Sequence, residues 1–102
     1  MKQIVRCYKP DGAVKDFSKI LSYGDLRTRI NGWLETHAIG GLVVVCDEEG
    51  KLKQLPVSRV IGGIQFVGDV YVGRFTDRGL EPVGEQTLSD FEAEYLGSMQ
   101  GK

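Results

Sequence analysis

Residues 40–73 read GGLVVVCDEEGKLKQLPVSRVIGGIQFVGDVYVG, and this stretch decides the fold. Leu42 to Cys46 is an unbroken apolar run of strand length with three valines. That is the pattern of a central strand covered on both faces. Asp47-Glu48-Glu49-Gly50 reads as a hairpin turn closed by glycine. Lys51 to Leu55 alternates Lys, Leu, Lys, Gln, Leu and reads as a strand that Pro56 stops. Ser58 to Ile61 reads either as a single helical turn or as part of a loop crossing the sheet, and Gly62-Gly63 ends it. Ile64 to Val67 continues as a loop or a short strand. Gly68 to Phe75 is another strand, with Val70 and Val72 on one face and Tyr71 on the other.

Upstream, Gln3 to Tyr8 and Ala13 to Phe17 flank the turn Lys9-Pro10-Asp11-Gly12, which predicts an opening hairpin. Ser22 can cap a helix, with Asp25 three residues later as a weaker capping box. Leu26, Ile30, Trp33 and Leu34 then share one helical stripe, which places the helix end near Glu35 or Thr36. Gly32 weakens that helix by about 1 kcal/mol relative to alanine. Downstream, Thr76-Asp77-Arg78-Gly79 is a turn, and Leu80 to Val83 is a short strand that Pro82 marks as an edge. A last helix is capped by Thr87 or Ser89, with Ser89 and Glu92 as a capping box. Its stripe is Phe91, Tyr95, Leu96 and Met99, and Gly97 ends its regular part. The fold class is α+β, with a small, mainly antiparallel sheet of five to six strands packed with two helices in the order ββα-ββ-ββ-α. It forms one domain over residues 1–102.

Composition narrows the function classes. Hydrophobic residues are 41% and charged residues 26%, enough for a core and for solubility. A net charge of -1 argues against a broad electrostatic grip on nucleic acid. No apolar run approaches a membrane span, and the N-terminal residues lack the apolar core of a secretory signal. The expected location is the cytoplasm of a bacterial host, with Cys7 and Cys46 as reduced, buried thiols.

Candidate chemistry is sparse. His37 is the only histidine, and with two strand cysteines it makes no zinc-type ligand spacing, so no metal and no cofactor are expected. Asp47, Glu48 and Glu49 read as a solvated hairpin tip. Lys51 and Lys53 fall on one side of the predicted strand, where they either meet a phosphate or keep an exposed sheet face from pairing. The glycines at 62, 63 and 68 lack the lysine and Ser/Thr of a phosphate loop. Arg59 is a charge in an apolar context. Its first-ranked role is structural, locked on a buried carboxylate such as Asp69; the alternative is a fork offered to a ligand phosphate or carboxylate. Tyr71, Tyr8 and Trp33 offer flat surfaces for a base, although Trp33 reads first as core.

Three motifs carry a resemblance: Gly41 through Leu52 with Leu55-Pro56-Val57-Ser58-Arg59, then Gly68-Asp69-Val70-Tyr71-Val72-Gly73, then Leu88-Ser89-Asp90 with Glu92. Together the chain resembles domain-of-unknown-function family 3846, small proteins of phages, plasmids and gut bacteria. Members of that family typically carry an Asn-Glu-Glu-Gly-Lys-Leu turn and a Leu-Pro-x-Asn-Arg cluster; Asp47 and Ser58 depart from them here. The resemblance implies a compact α+β domain in a mobile-element setting and brings no assigned activity. It leads to the expectation of a non-enzymatic binding protein, a homo-oligomer that captures a small phosphate-bearing ligand such as a nucleotide immune signal, in a counter-defence role. A pocket at a subunit interface suits so short a chain. Arg59, Lys51, Lys53, Arg74, Tyr71 and Ser58 are the expected ligand contacts. The alternative is a protein–protein inhibitor or adaptor acting on a host protein through an edge strand or the last helix. A small enzyme comes third, because no catalytic constellation is legible.

Overall fold

Period-two apolar alternation becomes two cores, one on each face of a single sheet. The computed structural model describes residues 2–97. The order is β1 (Gln3–Tyr8), β2 (Val14–Phe17), α1 (Tyr23–Ile30), β3 (Leu34–Ile39), β4 (Leu42–Asp47), β5 (Val57–Ile61), β6 (Ile64–Val67), β7 (Val70–Thr76), β8 (Gly79–Glu81), β9 (Val83–Gly84) and α2 (Glu85–Tyr95). The main sheet runs β2-β1-β7-β4-β3, with β8 beside β7 and β9 beside β1. Every pairing is antiparallel. β5 and β6 form a separate two-stranded ribbon. The architecture is therefore α+β with two helices, as the sequence predicts, but with more strands than the expected five or six.

Side-chain alternation sorts the cores. Ile4 and Tyr8 of β1, Leu42, Val44 and Cys46 of β4, and Val70 and Val72 of β7 face one side, under Leu88 and Phe91 of α2 and Ile61 and Phe66 of the ribbon. Val5, Cys7, Val45 and Tyr71 face the other, under Leu26 and Ile30 of α1. β4 is buried on both faces, which its unbroken apolar run predicts. The opening hairpin and the Ser22–Asp25 capping box are also as expected, the box closing with two bonds of 3.1 Å.

Several boundaries differ. α1 stops at Ile30, because Asn31 adopts the left-handed conformation (φ 62, ψ 49) and its N–H bonds the Arg27 carbonyl. Trp33 is thus an exposed residue stacked against Arg27 rather than core, and Leu34 opens β3. The helical spacing of these two residues was a coincidence of strand and helix periods. Residues 48–54 are not a hairpin tip and a strand but consecutive turns, closed by Lys53 N–H to Glu49 O and Leu55 N–H to Gly50 O. Lys51 and Lys53 accordingly share no strand face. Residues 57–61 are a strand, returned by the Gly62-Gly63 turn into β6. α2 starts at Glu85 with Gly84 as its N-cap and no side-chain cap, so Thr87 and Ser89 lie within the helix. The chain turns straight from β9 into the helix, leaving no loop in which either residue can cap. Met99 lies outside the described residues.

A charged network ties α2 to the hairpin. Arg6 forks onto Asp16 at 2.8 and 3.0 Å and reaches Glu92 at 3.1 Å, and Tyr8 donates its hydroxyl to the same Glu92. The hydrogen bond from Arg6 holds the Asp16 carboxyl below its ordinary range, against a smaller opposing effect of burial. A depressed folded-state value contributes stability above the ordinary aspartate pKa of about 4, and that stability is lost as pH falls through the folded value. Asp16→Asn should therefore lower the melting temperature at pH 7, and its deficit should shrink as the pH is taken below about 4. Both partners are partly in water, which limits the effect to about 1 kcal/mol or less. Thermal melts of the two proteins across pH test this, and a deficit independent of pH would refute it.

Candidate functional site

The Gly40-Gly41 turn builds the site. Both glycines have positive φ, 57 and 85, the backbone of a two-residue hairpin that matches strand twist. That turn fixes the register of β3 on β4: Ile39 faces Leu42, His37 faces Val44 and Glu35 faces Cys46. Glu35 and His37 are two residues apart and so point to one face of β3. That is the face over which β6 folds, with Phe66 edge-on to the His37 ring at 5.1 Å between centroids. The turn loop brings Glu48 and Lys51 to the same place. The result is a cleft of about 260 Å³ whose polar lining includes Glu35, His37, Cys46, Glu48, Lys51 and Gln65.

His37 Nε2 lies 2.9 Å from Glu35 Oε2. Cys46 is nearly buried, and burial above all, then the charges of Glu35 and Asp47, push its thiol up to about 12. It is protonated at neutral pH and a poor nucleophile in this state. Asp47 is turned from the cleft centre: its side chain accepts from the Glu49 N–H and pairs with Lys53 at 2.6 Å. Carboxylates thus outnumber lysine at this cleft. A second hollow of about 320 Å³ lies near Arg29, Leu55 and Asp69, but its charged groups are engaged. Asp69 pairs with Lys9, Asp47 with Lys53, and Arg29 covers Phe17.

The six positions expected to meet a ligand do not converge. Lys51 lines the cleft. Lys53 bridges Asp47 and the Asn31 carbonyl. Arg74 lies one residue past the Val43–Gly73 pair, at the opposite end of β4 from Lys51. Tyr71 is buried under α1, on the face opposite Cys46. Ser58 is buried and donates to the Tyr8 carbonyl at 3.0 Å. Arg59 is buried as well, and its guanidinium donates to the carbonyls of Lys9, Ser58 and Gly12 while covering the Tyr8 ring. A structural role fits it, through main-chain carbonyls, while Asp69, the expected partner, is taken by Lys9.

Glu35, His37 and Cys46 as a group escaped the sequence reading, because the helix was carried through to residue 35 or 36. The signal was present in Gly40-Gly41. A Gly-Gly pair between two segments of strand length marks a two-residue hairpin. Counting back from it pairs position 35 with position 46.

Among the described residues, no helix is long and apolar enough to cross a membrane. Neither a curated protein nor a solved structure matches the chain. A family model does match, over residues 1–100. The turn and arginine motifs that suggested the resemblance thus sit within a match across nearly the whole chain, which belongs to the family described as Domain of unknown function (DUF3846).

Proposed function

We propose that this protein acts by binding rather than by turnover, and that its ligand seat is the cleft between β3, β4 and β6. One observation carries the reading. Four separate segments deliver His37, Cys46, Lys51 and Gln65 with flanking carboxylates to one partly enclosed hollow, while the thiol there is held protonated by burial. Convergent polar groups in a concave, partly apolar site are what ligand recognition needs. Nucleophilic catalysis would need an activated thiolate beside its base.

The phosphate-bearing ligand expected from the sequence rests on Lys51 alone among the named positions, and Glu35 and Glu48 stand beside it. A cationic or zwitterionic ligand matches that charge balance better. A counter-defence role and a mobile-element origin remain part of the proposal through the family resemblance only.

A second reading has its own observation. β3 ends the strand path of the main sheet, pairing only with β4 among the described residues, and exposed Trp33 sits at its start. An open edge of six residues is a place where a partner strand, from a host protein or a second copy, can add.

Thermal-shift assays against divalent cations, amines and linear or cyclic nucleotides test the first reading. A rise of about 11–22 °C is expected at 100-fold excess over Kd, which is about 2.7 kcal/mol, and Lys51→Glu should change the ligand ranking. Product accumulating from any of these ligands would overturn binding without turnover. Silence across the screen, with a partner captured by wild type and lost on Ala38→Pro, would favour the edge-strand reading.

A further inference from the structure

Three kinds of donor meet at the cleft floor. Glu35 and His37 share one face of β3, and Cys46 is the register partner of Glu35 on β4. Their donor atoms all lie within 4.8 Å of one another. Ligand atoms around a tetrahedral zinc ion sit roughly 3.3–3.8 Å apart, given bonds of about 2.0–2.3 Å. Small side-chain adjustments therefore bring all three onto one ion. The strands below them are hydrogen-bonded in register, so the backbone needs no rearrangement.

The donor set also has a selectivity. Imidazole and thiolate with one carboxylate suit a borderline-soft divalent cation, and they suit magnesium or calcium poorly, since those ions take oxygen ligands. The surrounding charge agrees, with Glu48 near the site and Lys51 the single lysine on its lining. Phe66 packs edge-on against His37 and restrains the ring. An ordinary surface Glu–His pair would explain two of these groups and core packing the third, but neither requires the three donor atoms to converge as they do.

We propose that Glu35, His37 and Cys46 form a three-ligand site for a thiophilic divalent cation of the zinc class, its fourth position facing the cleft. This rests on the reading of the cleft as a ligand seat and names the ligand. On binding, the Cys46 S–H bond breaks, its proton goes to solvent, and a sulfur–metal bond forms. Where His37 Nε2 carries the ring proton toward Glu35, that proton moves to Nδ1, so that the Nε2 lone pair and a Glu35 oxygen both face the metal. Three protein ligands with one open position is the arrangement of sites that accept an exogenous group.

Cobalt(II) titration of the full-length, chelator-stripped protein tests the site, because a cobalt–thiolate bond absorbs in the near ultraviolet. One cobalt per chain is expected, with that charge-transfer band. Cys46→Ser should abolish the band, and Cys7→Ser should keep it, since Cys7 lies in the core on the other face. His37→Gln alters a half-exposed residue without opening the core, and it should weaken binding by more than about tenfold, the least that even outer-shell partners cost. No band at stoichiometric cobalt, or a band that survives Cys46→Ser, overturns the proposal. Should Cys46→Ser fail to fold, undiminished cobalt affinity in His37→Gln overturns it equally. The broader reading fails separately. Metal failure with a nucleotide shift that Lys51→Glu removes, or an amine shift that it enlarges, leaves the cleft as a binding seat, whereas turnover by a cobalt-loaded protein refutes binding alone and leaves the metal site standing.

Discussion

Replacing Gly79 by alanine should remove roughly 3–5 kcal/mol of stability, through backbone strain and overpacking together. Gly79 has φ 122, a conformation that L side chains rarely adopt. An added Cβ would run into the Leu21 carbonyl oxygen and stand 2.8 Å from Ser22 Cα. These are backbone atoms and cannot swing aside. They are also pinned: Leu21 N–H donates to the Leu80 carbonyl at 3.0 Å, and Leu80 N–H donates back at 2.8 Å. Leu21 and Leu80 are fully buried, and the residue after Leu21 is the N-cap of α1. One methyl therefore strains the β7–β8 turn and displaces the segment that seats the helix. For a domain of this size the melting temperature should fall by about 12 °C or more, at roughly 4–8 °C per kcal/mol. Gly63→Ala is the control. It too has positive φ (81) but open space around its Cβ, and should cost only about 1 kcal/mol. Equal losses in the two variants, measured by urea denaturation, would refute the collision.

Arg59→Ala should cost about 3 kcal/mol and lower the melting temperature by about 12–24 °C. The buried guanidinium gathers the carbonyls of Lys9, Ser58 and Gly12, and so clamps the β5–β6 ribbon to the turn of the opening hairpin. Its removal withdraws charge-assisted hydrogen bonds, each worth about 1.5–3 kcal/mol before water replaces part of them. Arg59→Lys should recover only part of the loss, because an ammonium is a point donor and does not span separate carbonyls as a planar fork does. Arg74→Ala, at an exposed strand position, should stay within about 0.5 kcal/mol of wild type. A loss below about 1 kcal/mol for Arg59→Ala would contradict the clamp. In the same variant, cobalt binding per folded molecule should persist, since the carbonyls that Arg59 gathers belong to Lys9, Ser58 and Gly12 and not to the cleft donors.

The contrast between these two arginines shows where sequence reading reached its limit. Arg59 is a charge among apolar residues, and the structure buries it with hydrogen-bond acceptors, as a charge in such a setting requires. Which partners it has was out of reach. Main-chain carbonyls carry no residue signature, and Lys9 pairs with Asp69 by a fold-level proximity across 60 positions. Lys51 and Lys53 show the same limit in a shorter segment. Alternation over five residues fits a strand, yet here it belongs to a run of turns.

What the sequence determined by itself was local: the Pro10-Asp11-Gly12 turn, the Ser22–Asp25 cap, the doubly buried β4 and the α+β class. Each follows from dihedral preference, capping geometry or apolar period within a few residues, and none needs a distant contact. Tertiary structure decided the rest. It ended α1 at Asn31 so that β3 could form, folded the ribbon over one face of the sheet, and placed Glu35, His37 and Cys46 together. Those outcomes depend on hairpin register and on which face each layer covers, and register converts a one-residue shift into the opposite side of the sheet.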